Sequence, residues 1–202
     1  MTEIVPKYHV LQGEINGLGT EATHAHYLNA DEGDPVIGFI MLVAGQSVHG
    51  NFWKATFKDG DHVQVIGQER HGIFEAVAVT KPEERIIWMQ PHCERGTQSQ
   101  KRNLLKCSGW AAVFGYTCAV LLGTFGDMPL WFMLFGFSIA IPLLLFFTVG
   151  LSWKDFMSFS AEMNAVGVAL DLPEPEKIDL FKSTKLARQN GKPDLPMGVY
   201  YY

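Results

Sequence analysis

The sequence predicts an α+β membrane protein: a small N-terminal antiparallel β barrel of OB-like or SH3-like type, a transmembrane helical hairpin, and a C-terminal amphipathic helix with a polar tail. Three observations carry this. Between Lys106 and Lys154 the only charged side chain is Asp127. Residues 8–91 break into short alternating runs separated by turn sequences. Beyond residue 152, apolar residues recur at steps of three and four, the spacing of one helix face.

The expected organisation is a β-rich domain over 1–96, a basic juxtamembrane segment over 97–106, the hairpin over 107–152, and the C-terminal helix and extended tail over 153–202. In the first part, Tyr8 to Gly13 and the apolar run from Val36 to Ala44 read as strands. Asn51 to Phe57 alternates, Lys58-Asp59-Gly60-Asp61 is a tight turn, and His62 to Ile66 alternates again. Asp-Gly favours such turns because its backbone tolerates positive φ. Arg70-His71-Gly72 turns the chain once more, and Ile73 to Val79 and Ile86 to Met89 complete the series. Residues 14–35, rich in Gly, Asp, Asn and His, read as an irregular excursion.

A membrane-crossing helix needs about 20 apolar residues to span about 30 Å of hydrocarbon. Residues 107–125 supply one and 128–151 a second, with Asp127 and Pro129 in the turn between them. Arg95, Lys101, Arg102 and Lys106 precede the pair and Lys154 follows it, while the turn has no cation. The excess of cations on one side places both termini in the cytoplasm of a conventionally inserted protein. Trp110, Trp131 and Trp153 lie close to helix ends, where interfacial aromatics belong. Ala111, Gly115, Ala119 and Gly123 recur every four residues on the first helix, and Gly136 and Ala140 do so on the second. Small residues at that spacing let helices approach closely in lipid. They pack the hairpin against itself or drive self-association. After the hairpin, Phe156, Phe159, Met163, Val166 and Leu170 form an apolar stripe ended by Leu172-Pro173-Glu174-Pro175, and the tail beyond Lys182 is polar.

The net charge of −5 and the absence of a basic patch argue against nucleic acid. The opening MTEIVPKYHV has no basic start followed by an apolar run, so a cleaved signal peptide is not expected. Cys93, Cys107 and Cys118 are an odd number with no close pair, which suggests neither a disulfide framework nor a zinc site. His24 and His26 would share one strand face but lack a third ligand nearby. His92 and Cys93 are neighbours, and on an extended chain neighbours point apart. The sequence holds no GxSxG, P-loop, HExxH or dinucleotide fingerprint. No catalytic residue, metal or cofactor is expected.

FKDGDHVQVIGQERHGIFEAVAVTKPEERIIWMQPHCERG, the apolar pair, DLPEPEKIDLFKSTK and the terminal VYYY, taken together, resemble the bacterial family of type VI secretion system effectors with a central transmembrane pair. The matching positions include Gly60 and Asp61 and the run Pro91, His92, Cys93, Arg95 and Gly96, within about residues 50–202. The resemblance implies an antibacterial toxin acting at the target cell's inner membrane, with self-association and an immunity protein, a chaperone or a secretion spike protein as partners besides membrane lipid. It brings no catalytic motif. The alternative is a resident inner-membrane protein whose cytoplasmic β domain binds a partner.

Overall fold

In a computed structural model, residues 7–25, 34–125 and 129–202 are described, without the side chains at 122, 125, 130–137, 140, 144–148, 151 and 152. His26, the Asp127 turn, and the side chains of Trp131, Gly136 and Ala140 therefore lie outside the described residues.

Five strands close a barrel. β1 (His9–Ala25) pairs antiparallel with β4 (His62–Arg70) through its first six residues and with β2 (Asp34–Val43) through the rest. β3 (Gln46–Phe52) pairs with β2, β5 (Ile73–Lys81) pairs with β4, and a short parallel contact of Val48 and His49 with Phe74 and Glu75 closes the ring. That parallel pair is the one departure from the antiparallel barrel expected. The sheet continues outward through β6 (Ile86–Met89) to β7 (Val199–Tyr201).

Local chemistry fixes the turns. Ala44-Gly45 and His71-Gly72 both have positive φ at each residue, the two-residue turn whose twist matches that of the flanking strands. Gly67 sits where the β4–β5 register shifts. A Cβ there would meet the Glu75 carbonyl oxygen at 2.0 Å, so only glycine lets the bulge bring the backbones together.

Several boundaries differ from expectation. Most of the excursion over 14–35 is strand, because β1 runs to Ala25 and β2 starts at Asp34. Its polar residues lie on an exposed surface, so no hydrophobic alternation marks it. Conversely, residues 53–57 leave the sheet after Phe52, although Phe57 stays buried. Its ring lies 5.2 Å from Phe39 and 5.5 Å from Trp88, both edge-on, at the centre of the barrel. The indole of Trp88 donates to Thr56 Oγ1 at 3.0 Å, satisfying its one polar atom.

α1 (Thr97–Phe125) absorbs the 97–106 segment into its first turns. α2 (Leu130–Ala169) runs unbroken for 40 residues, about 60 Å at 1.5 Å per residue. It crosses the expected boundary at 152, so the second apolar helix and the amphipathic helix are one element, with Pro142 inside it. The tail is also more ordered than its polarity suggests. α3 (Leu180–Gln189) is capped by Asp179, whose side chain accepts from the Lys182 amide, and β7 seats the terminal tyrosines against β6.

A second core joins barrel to helices. Ile66, Ala78, Ile87 and Met89 on the outer face of β4–β6 pack with Met163 and Val166 of α2, with Leu180, and with Tyr200. The stripe expected over 156–170 is thus used, but burial at Met157, Ser160 and Ala165 extends it around the helix.

The Asp61–Lys81 contact ties the β3–β4 connection to β5 at 2.8 Å, with both side chains less than a third exposed. Asp61 also accepts from the Lys58 amide at 2.7 Å. Burial alone would raise the Asp61 pKa, but the bonds from Lys81 and Lys58 and their charges outweigh it and hold the carboxyl below its ordinary value. A lowered carboxylate pKa contributes stability that is present above the unfolded value of about 3.9 and is lost as pH falls through the folded one. Asp61→Asn is expected to cost about 1 kcal/mol at neutral pH, and the gap from the parent to narrow on acidification from about pH 4 towards about pH 2. Thermal melts across pH check this; a constant gap down to that pH would contradict it.

Candidate membrane-facing site and its junction with the barrel

α1 and α2 pack as an antiparallel pair, with a Cβ built on Gly115 falling 3.7 Å from Ile141 Cδ1. Ala119 and Gly123 are buried on the same side. Ala111 is exposed, and the half-buried neighbour Ala112 takes its place. Steps of four overshoot the 3.6-residue turn by about 40° each, so residues 111 to 123 drift by about 120°. The small face is therefore occupied within the chain.

Among the described residues the outer face of the pair is apolar and bare. Trp110 is 76% exposed, Phe114 72% and Ile139 67%. Thr117 donates its hydroxyl to the Val113 carbonyl at 2.8 Å, and Thr124 donates to Leu121 at 2.7 Å. Each hydroxyl is satisfied by its own helix. Among the described residues one helix is long and apolar enough to cross a membrane, Thr97–Leu121, with mean hydropathy 1.4. Its apolar side chains are exposed, where those of a soluble core helix would be covered.

The Pro91–Gly96 run is the hinge piece between barrel and helices. Pro91 and Cys93 are buried. His92 takes a left-handed backbone with φ 68°, and its Nε2 lies 3.0 Å from Asp34 Oδ2. Its ring also meets Trp53 and Phe159 of α2. Glu94 accepts from the buried Tyr200 hydroxyl at 3.2 Å. Arg95 binds Asp179 at 3.3 Å and lies over the Phe181 ring, so it is committed to the fold rather than free for lipid phosphate. At Gly96 a Cβ would meet the Pro175 carbonyl oxygen at 2.3 Å. Thr97 is held by Asn164 through both its amide and its hydroxyl.

Burial and the Glu94 charge push the Cys93 thiol far above its ordinary pKa. A neutral buried thiol is a poor nucleophile and metal ligand. Burial and Glu94 likewise raise Tyr200. These residues act as packing and hydrogen-bonding parts. Gly60 and Asp61 serve the turn described above. Among the described residues no three metal-ligating side chains come together.

Lys101, Arg102, Lys106 and Lys154 are all exposed near the barrel end of the apolar pair. What the sequence left hidden is a trough of about 470 Å³ on the outer face of β1–β3. Glu21, Thr23, Ile40, His49 and Asn51 line it, with Gly38 among them. Its residues are far apart in sequence, and only strand register brings them together. No protein family, curated protein or solved structure matches the chain.

Proposed function

We propose that the chain inserts the α1–α2 pair into a bilayer and, as an effector of the type VI secretion class, perturbs a target cell's inner membrane by self-assembly into a pore or ion leak. The observation that carries the membrane part is the bare apolar outer face with its internally satisfied hydroxyls. The effector part rests on the sequence resemblance around Gly60, Asp61 and the Pro91–Gly96 run. Two helices cannot enclose a water-filled path, so several copies must associate. Since Gly115, Ala119 and Gly123 face inward, that association uses the outer face around Trp110 and Phe114. With conventional insertion both termini lie in the cytoplasm.

Reconstitution into dye- and potassium-loaded liposomes tests this. Leakage rising more steeply than protein density is expected. A protein that resists carbonate extraction yet leaks at no density would overturn the pore reading.

A second reading is favoured by the trough on β1–β3. The closure order β1-β2-β3-β5-β4 is that of an OB-type barrel, whose β2–β3 face commonly binds ligands. A resident inner-membrane protein with a partner-binding barrel would use this face. No Lys or Arg lines it, which disfavours nucleic acid. Absence of toxicity on expression in a cell lacking any immunity protein would favour this reading.

A further inference from the structure

We propose that Lys101, Arg102 and Lys106 of α1, with Lys154 of α2, form a cationic collar that binds the headgroup phosphates of anionic phospholipid and sets the depth of the hairpin. This rests on the membrane-insertion reading. The Gly115–Ile141 contact fixes the register of the pair. Thirteen residues back along α1 lies Arg102, and thirteen forward along α2 lies Lys154. At equal rise both stand about 20 Å from that contact, within about a turn of one level. Lys106 is one turn nearer the contact, about 28 Å from Phe125, so the apolar length beyond the collar matches a hydrocarbon core of about 30 Å.

All four cations are exposed, and among the described residues none is held in an ion pair. In this they differ from Lys81, Arg95, Lys177 and Arg188, each of which has a carboxylate partner. Along α1 and α2 the one carboxylate at the collar's level among the described residues is the half-buried Asp155. The chain as a whole carries −5, so the collar is a local reversal of sign where the helices leave the barrel. Trp153 lies beside it and Trp110 one turn toward the apolar end, the depth at which indoles settle in a bilayer interface. Long basic side chains reach phosphates from such positions while their stems stay against apolar surface. Each is worth about a fivefold gain in binding to an anionic surface, falling with salt.

The test titrates phosphatidylglycerol and phosphatidylcholine into the full-length protein in neutral detergent and counts bound lipid by native mass spectrometry. Phosphatidylglycerol is expected to bind more tightly. The variant K101Q/R102Q/K106Q/K154Q should lose at least a hundredfold of that preference, while K101R/K106R/K154R keeps it. The variant K185Q/R188Q/K192Q, altering the basic edge of the groove beside α3, should leave it unchanged. Equal binding of the two lipids, an unaltered preference in the first variant, or its loss in the α3 variant would overturn the collar. Carbonate extraction of the parent from phosphatidylcholine vesicles separates the two ideas. An inserted protein without lipid preference defeats the collar alone, whereas an extractable one defeats insertion.

Discussion

A Phe57→Ala variant loses about 3–5 kcal/mol of barrel stability, the usual cost of emptying an aromatic from a packed interior. Phe57 comes from a segment without regular structure, yet it is only 2% exposed. Its ring is edge-on to Phe39, Phe52 and Trp88, with centroids at 5.2, 6.4 and 5.5 Å. The three neighbours come from β2, β3 and β6, so none can move into the void without disturbing its own strand. In a chain of this size the loss corresponds to a fall in melting temperature of about 10 °C or more. Near-ultraviolet circular dichroism in detergent follows it, because Trp88 is held in a fixed asymmetric packing against Phe57. The helical far-ultraviolet signal should survive to higher temperature, since the α1–α2 pair does not depend on Phe57. A shift below about 2 °C would mean that Phe57 does not plug the barrel as placed.

This residue illustrates what could be read from the chain. The alternation in 51–57 predicts a strand, but a loop that turns alternate side chains inward has the same pattern, and Phe57 is interior without being in the sheet. In β1 the reverse holds, and a strand carries no alternation. Glu14, Glu21 and His24 lie on a surface open to water, so nothing in their polarity announces a ladder made mostly of main-chain bonds. The end of the second apolar helix was invisible for a related reason. A change from apolar to amphipathic composition alters which side chains are favoured but not the helical backbone, so α2 passes through Trp153-Lys154 without a break. The charge pattern at Lys101, Arg102, Lys106 and Lys154 was legible because charge is a composition signal. The commitment of Arg95 to Asp179 was not, since 84 residues separate them. A strict step of four does not hold a single face, so Ala111 turns outward while Gly115, Ala119 and Gly123 turn inward.

Phe114→Asp is expected to abolish insertion. Phe114 is 72% exposed on the outer face of α1, about 12 Å from Lys106 and about 16 Å from Phe125 along the axis. That is close to the middle of the apolar length. A carboxylate there costs about 2.5–3.5 kcal/mol on an insertion scale, and the favourable phenylalanine is lost as well. Together these lower the inserted fraction by about a hundredfold or more. No described cation lies on this face to compensate, because the basic side chains stand at the collar. Phe114→Leu, apolar and of comparable bulk, should insert normally. Val10→Asp alters an exposed apolar site on the barrel and should also insert normally, since water already reaches it. Carbonate resistance and protease protection of membranes carrying each variant read the outcome. If the helices met water or a soluble partner instead of lipid, Phe114→Asp would behave like Val10→Asp, and an unchanged membrane fraction would end the insertion reading. Leakage should fall in parallel with insertion.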